Sequence, residues 1–493
     1  MRLKVTIILL SLCLLFLCTF YFAAKPLIIN QYSDKPIELL KNFSRTETGQ
    51  KIVGHYLEHI QFRAADRIGG YDKFNPQEPE KVYFELARLT FIGFAVVMVC
   101  VISLALIIIY CTETKPSLSP QKYTIFFILL LIVLNGTIIR LMMARAYYGN
   151  FDMQSYEMVT DIVTHGGNVY AQTDRYNYSP IWFTILGFLK YVQIQLPSLP
   201  FHFVVRTFLC LVDLVTLVFL LLIAHHKKIS LPKIAMLFYL SPVSFLLTGY
   251  HGQFENLAIL MIVIGLFAYL KLNPKSGWGT VILWFFATAG MVIKYNVFYE
   301  LIICLNAAIK RYQIKFLLFL ISVCFFLALF IPYWNSGKEG IIKNVFMYSS
   351  HSGYYGIVSL FKFPQLKYLF IIGLFVFPLF LRNRDIIQQC LLGMLFFLTF
   401  TSGISIQYFI LPVAIGSLYP SKGFLFYSLV TSVFILGNYD NLFVPGFHLF
   451  EWNVVWVGAI YWFFSELKQN KQIATATPAV PVQKSTKRKN LKG

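Results

Sequence analysis

Two carboxylates, Asp152 and Glu157, lie in the stretch "GNFDMQSYEMV" (149–159), directly after the apolar run 124–144. Both therefore stand within a few residues of what reads as a membrane surface. A solvated helix end satisfies that pattern. So does a general base, which needs reach and a tuned pKa rather than a long motif. A carboxylate fixed there can take a proton from a hydroxyl presented at the membrane surface. Five residues of helix turn by roughly 500°, about 140° away from the starting direction, so the two acids do not share a face. The same loop gathers Tyr156, Asp161, His165, Tyr170, Asp174, Arg175, Tyr176 and Tyr178. An interfacial aromatic belt accounts for the tyrosines, and Gly166-Gly167-Asn168 reads as a turn. A belt has no need of Asp152 right after a helix end.

A second group, Tyr250, His251, Gln253, Glu255 and Asn256, sits at one turn between two apolar runs. Helix ends need such polar groups, but Glu255 opens a span, and an acid inside a span usually faces a protein cavity and a partner. Lys294 is likewise embedded near a helix end. It either snorkels to water or meets a phosphate at headgroup depth. Arg140 and Arg206 compete for the phosphate role, with Asp213 as their counter-charge. His351, Tyr354 and Tyr355 follow in a later loop. Gln407 and Tyr408 stand at a helix entrance, Gln407 as a local hydrogen-bonding group or a ligand.

The elements that must position these groups are set by composition. The 493-residue chain is 57% hydrophobic and 13% charged, with a mean hydropathy of +0.65. Soluble domains carry about 25% charged residues. Repeated apolar runs give about 14 expected spans: 5–23, 89–111, 123–143, 203–224, 232–249, 253–272, 278–294, 297–309, 316–333, 366–381, 386–402, 405–419, 423–437 and 452–466. The expected fold is an all-α polytopic membrane protein with long extracytoplasmic loops. The run 297–309 is short for a core of about 30 Å. The stretch 180–193 reads as juxtamembrane or re-entrant, because counting it as a crossing would put "HHKK" (225–228) outside.

Threading these spans from a cytoplasmic N-terminus gathers 22 Lys/Arg and 3 Asp/Glu on one side, a net +19, against 17 and 16 on the other. That asymmetry is the positive-inside signature. It accounts for the net charge of +20 without a nucleic-acid partner. The chain divides into an anchor hairpin, 1–111, enclosing an extracytoplasmic segment at 24–88; a transmembrane body, 112–466; and a basic, disordered cytosolic tail, 467–493. The first run lacks a convincing cleavage site and reads as a retained anchor. All eight cysteines lie in or at the ends of apolar runs, so neither a disulfide framework nor a zinc site is expected. Elaborate loops on one face, without an internal repeat, favour surface chemistry over a transporter's midplane site.

The order of these elements resembles a known family. An acid follows a helix on the outer side; then come "GGNVY", "YNYSP", "GYHGQFENLAI", "IKYNVFY" and "IQYFILP". Over about 123–420 this is similar to the GT-C class of polytopic glycosyltransferases. It is nearest to polyprenyl-phosphate-sugar-dependent mannosyltransferases, bacterial ones and the catalytic subunit of GPI mannosyltransferase I. The resemblance implies that Asp152 is the catalytic base. The donor would be a polyprenyl-phosphate sugar and the acceptor a glycan or glycolipid, with membrane lipids around both. Tyr156, Tyr170, Arg175, Tyr178, Arg206, His251, Gln253, Glu255, Lys294, His351 and Gln407 are the candidate substrate and phosphate groups. Where the GPI enzyme has D-x-D this chain has Asn150 and Asp152, so no metal ligand set is assigned and metal assistance stays open; no other cofactor is expected. Its Y-R-Y-T-P reads Tyr176-Asn177-Tyr178-Ser179-Pro180, with Arg175 one step off as stand-in for the missing Arg. The bacterial G-Q-F-D is Gly252-Gln253-Phe254-Glu255. A bacterial inner membrane is the favoured location, with the endoplasmic reticulum as the second. A lipid or solute transporter or flippase is the competing expectation, with a structural assembly subunit third.

Overall fold

The computed structural model describes residues 2–29, 38, 79–111, 122–149, 151–272, 277–348, 351–352, 355–361, 365–437 and 452–475. Most of the outer segment 24–88, Asn150, Tyr354, the end of the tail and the side chain of His351 lie outside the described residues.

Nearly every described residue is helical, a form compatible with an apolar solvent because a helix satisfies its own backbone polar groups. The first part of the chain forms α1 (Arg2–Ile28), α2 (Pro79–Cys111), α3 (Lys122–Ala146), α4 (Phe151–Thr164), α5 (Val169–Gln172), α6 (Pro180–Gln195) and α7 (Phe201–His226). There follow α8 (Leu231–Tyr239), α9 (Pro242–Phe245) running into a π-helical turn (Leu246–His251), α10 (Glu255–Lys271), α11 (Trp278–Ile293), α12 (Phe298–Ala308) and α13 (Tyr312–Ala328). The last part contains α14 (Trp334–Gly340), α15 (Gly356–Phe361), α16 (Leu366–Phe380), α17 (Ile386–Phe400), α18 (Leu411–Gly416), α19 (Lys422–Gly437) and α20 (Trp452–Thr475). The only strand pairing among the described residues joins β1 (His351–Ser352) to β2 (Gly403–Ile404), antiparallel, with His351 opposite Ile404.

Among the described residues five helices are long and apolar enough to cross a membrane: 4–28, 91–109, 122–146, 201–226 and 312–346. A sixth is obtained if α8 and the segment 242–251, bent by 46° at their break, count as one. Pro242 explains the break, since proline is at home in the first turn of a helix and cannot continue the one before it. Of the remaining expected spans, 278–294, 366–381, 386–402, 405–419 and 423–437 correspond to shorter apolar helices, and 452–466 lies in the 24-residue α20, which is not among the five. The run 297–309 becomes α12, 11 residues, or about 16 Å of helix. The 180–193 stretch is α6, which buries Trp182, Phe183, Leu186 and Leu189 and leaves Phe188, Tyr191 and Ile194 exposed.

The anchor helices pack on the body. α1 lies along α2 and α3, and the buried Asn135 of α3 donates its side-chain amide to Leu10 O at 3.1 Å. α10 and α11 form an antiparallel hairpin against α7. The stretch 312–346 behaves differently. Only 11% of its most apolar window is buried, while its far end, α14, packs on α5. There Asn168 donates to Tyr333 O at 3.0 Å and to Ser336 Oγ at 2.7 Å.

Candidate active site

Asp152 occupies the first turn of α4, where a carboxylate is stabilised by the exposed N–H groups of the helix start. Its position is fixed from behind by Arg206. That guanidinium, fully buried in α7, donates to the carbonyls of Tyr147 (2.8 Å), Tyr148, Met143 (3.4 Å) and Gly249 (3.4 Å). Carbonyls past the end of α3, those of Tyr147 and Tyr148, lie beyond the helix's own ladder, and Arg206 supplies them with donors. Gly149 and Gly252, at φ +114° and +71°, close the arrangement. A Cβ on Gly149 would come 2.9 Å from an Arg206 nitrogen; one on Gly252 would meet Met153 Cε at 2.9 Å and Arg206 Cγ at 3.2 Å. The turn through Gly252 can therefore lie against the start of α4. As a result Gln253 donates its side-chain amide to Asp152 Oδ2, and its Oε1 accepts from the Tyr156 hydroxyl at 3.4 Å.

Below this pair, Glu255 at the start of α10 meets Lys294 just past the end of α11, Oε1 to Nζ 2.8 Å. The hairpin brings its two ends to one level. Both side chains are buried, so Lys294 does not snorkel. Its ammonium sits 4.1 Å from the centre of the Tyr178 ring and 4.3 Å from that of Phe254, a desolvated cation–π arrangement. Phe254 stacks on Trp182 at 4.1 Å and 10°, and Tyr156 meets both edge-on.

Arg175 is a half-exposed cation within electrostatic reach of Asp152. Its guanidinium lies 3.5 Å above the Phe151 ring and donates to Phe151 O at 3.1 Å. Partial burial lowers its pKa, while the fields of Asp152 and Asp174 work the other way. Asp152 also reaches His251, Tyr178 and Tyr348 electrostatically. Burial, and then the Asp152 charge, push the Tyr348 hydroxyl up, and a hydrogen bond with Asn177 works against them. Tyr348 was not among the expected site residues; its loop position 196 residues from Asp152 carries no local signal.

Sequence-predicted residues from four separate segments thus meet: Asp152 and Tyr156, Arg175 and Tyr178, His251 to Glu255, and Lys294. Others take different roles. Tyr170 donates to Tyr178 O at 2.8 Å, and Tyr176 donates to Ser179 O at 2.6 Å and accepts from Phe183 N at 3.0 Å. These bonds make "YNYSP" a rigid wall. Gln407 is buried and accepts from Ser405 Oγ. His351 is placed beside Ile404 by its backbone. Asp213 is the counter-charge of Arg140 alone, 3.1 Å away, and it also accepts from Asn256 at 3.0 Å. Glu157 accepts from the Tyr148 hydroxyl at 2.5 Å. That bond and burial, with burial the larger influence, raise the Tyr148 pKa.

Chemically, the arrangement offers a half-exposed carboxylate steadied by a neutral amide, a charge-balanced pair beneath it and an arginine at its side. Compared with protein-family models, curated proteins and solved structures, the chain matches none.

Proposed function

We propose that the protein is a membrane glycosyltransferase of GT-C type. It would move a hexose, mannose in the first instance, from a polyprenyl-phosphate carrier to a glycan or glycolipid acceptor at the extracytoplasmic face. The observation that carries this reading is the Gln253–Asp152 contact. An ionised carboxylate is acceptor-only, and an amide donor orients it without neutralising its charge, as a base for a hydroxyl requires. Asp152 takes the acceptor proton, the acceptor oxygen bonds to the anomeric carbon, and the carbon–oxygen bond to the lipid phosphate breaks with its electron pair on the phosphate. One such displacement inverts the anomeric centre. The leaving phosphate gains charge in the transition state, where a fixed cation helps most. Lys294 is already balanced by Glu255, so Arg175 is the cation assigned to the phosphate. The reading includes the fourteen-span threading and a bacterial plasma membrane, with the endoplasmic reticulum as second choice.

A second reading is kept because Glu255–Lys294 is a buried ion pair inside a helical bundle, the kind of feature that lines a transport path. One measurement separates the two. Purified protein in lipid nanodiscs, given a polyprenyl-phosphate hexose, should release free polyprenyl phosphate only when a glycan or glycolipid acceptor is present. Movement of the intact carrier in vesicles, with no release, would select the transporter.

A further inference from the structure

A cleft of 450 Å³ opens between α1, the second half of α3 and the start of α7. Its walls include Leu17, Cys18 and Tyr21 of α1, Ile138 and Met142 of α3, and Phe203 of α7. Cys18 and its neighbour Phe22 are exposed, so the cleft opens sideways, toward the surroundings of the helices. At its end stands Arg145, in the last turn of α3.

Arg145 is half-buried, with its guanidinium 5.8 Å from the centre of the Phe203 ring, and no carboxylate pairs with it among the described residues. His202, beside Phe203, lies within electrostatic reach of Arg206, Arg145 and Arg88 together. Elsewhere in the interior the buried cations are spoken for: Arg140 has Asp213, Lys294 has Glu255, and Arg206 is spent on backbone carbonyls. An apolar cleft ending on an arginine that has no carboxylate partner among the described residues fits a ligand that is apolar along its length and anionic at its tip.

We propose that this cleft binds one anionic glycerophospholipid, an acyl chain lying along α1 and the phosphate on Arg145. The α1 residues that line the cleft run from Leu17 to Ile28, about 16 Å of helix. That matches an acyl chain and falls short of a polyprenyl one. Arginine suits the phosphate because its planar fork can bind two oxygens at once. The site lies on the anchor helix and does not depend on the proposed transfer reaction.

The test uses the full-length protein, purified and placed in phosphatidylcholine nanodiscs with or without phosphatidylglycerol. Lipid retained through re-purification is identified by mass spectrometry. Wild type should retain phosphatidylglycerol preferentially. Arg145→Ala should reduce that preference about fivefold, the share of one surface cation. Arg145→Lys should recover most of it, and Leu17→Trp, which fills the cleft, should lower retention of both lipids. Thermal unfolding guards against a folding defect. Equal melting of Arg145→Ala and wild type in phosphatidylcholine, with loss of the increment from phosphatidylglycerol, supports the site. An increment that survives Arg145→Ala, or displacement of phosphatidylglycerol by polyprenyl phosphate, overturns it.

Discussion

Lys294 Nζ lies 2.8 Å from Glu255 Oε1, and neither side chain is more than 3% exposed. Removing the lysine charge therefore strands a buried carboxylate, and Lys294→Met should cost about 3–5 kcal/mol of stability. Glu255→Leu combined with Lys294→Met should recover most of it, since replacing a whole buried pair by apolar groups is often neutral. Denaturation of the two variants in the same detergent reads the difference. A single Lys294→Met as stable as wild type would mean that the ammonium reaches water.

Asp152→Asn should insert and fold normally yet lose at least ~100-fold in turnover, because the amide cannot accept the acceptor's proton and a general base contributes typically 10²–10⁴-fold. Glu157→Gln should cost far less, since Glu157 is spent on the Tyr148 hydroxyl. Initial rates with a polyprenyl-phosphate hexose give both numbers. Equal and small effects would send the search for the base to Asp161, Asp174 or Glu255.

Gly252→Ala meets two obstacles, the positive φ and the side chains of Met153 and Arg206 within 3.2 Å of the new carbon. The left-handed conformation alone costs roughly 1–2 kcal/mol in a residue bearing a Cβ. The variant should lose about that much stability, and its turnover should fall with it as Gln253 is pushed off Asp152. Thermal melting paired with a rate assay checks the coupling; a variant with unchanged melting and rate contradicts it.

Topology is tested by cysteine labelling. With the outer threading, a cysteine replacing Ser352 should react with an impermeant maleimide from outside, and one replacing Ser230 should be protected. The reverse pattern sinks the threading, and with it the external placement of Asp152.

The sequence made the helices legible because apolar run length is a strong signal. Expected and observed boundaries mostly agree within a few residues, as at 123–143 against Lys122–Ala146. Asp152 was legible from its place after a helix end. The Glu255–Lys294 pair was half legible: each residue was singled out in its own span, but their pairing depends on how α10 and α11 pack, which residue types do not state. Arg206 was not legible, because backbone carbonyls as its partners leave no trace in residue types. A charged residue in an apolar run looks the same whether it awaits a ligand or caps a neighbouring helix.

The sparsely packed stretch 312–346 joins the surroundings of the helices to α5. Its 35 residues extend about 52 Å, well beyond a hydrocarbon core of about 30 Å, and its far end is tied to α5, next to the wall that carries Arg175 and Tyr178. A helix longer than the hydrocarbon core tilts when bilayer thickness changes, and the tie to α5 would pass such a tilt to the wall of the candidate site. Turnover should therefore vary with the acyl length of the nanodisc lipid. Asn168→Ala, which cuts the tie to Tyr333 and Ser336, should flatten that dependence. Under the proposed function, the thickness of the host membrane would then be an input to the reaction rather than a passive setting for it.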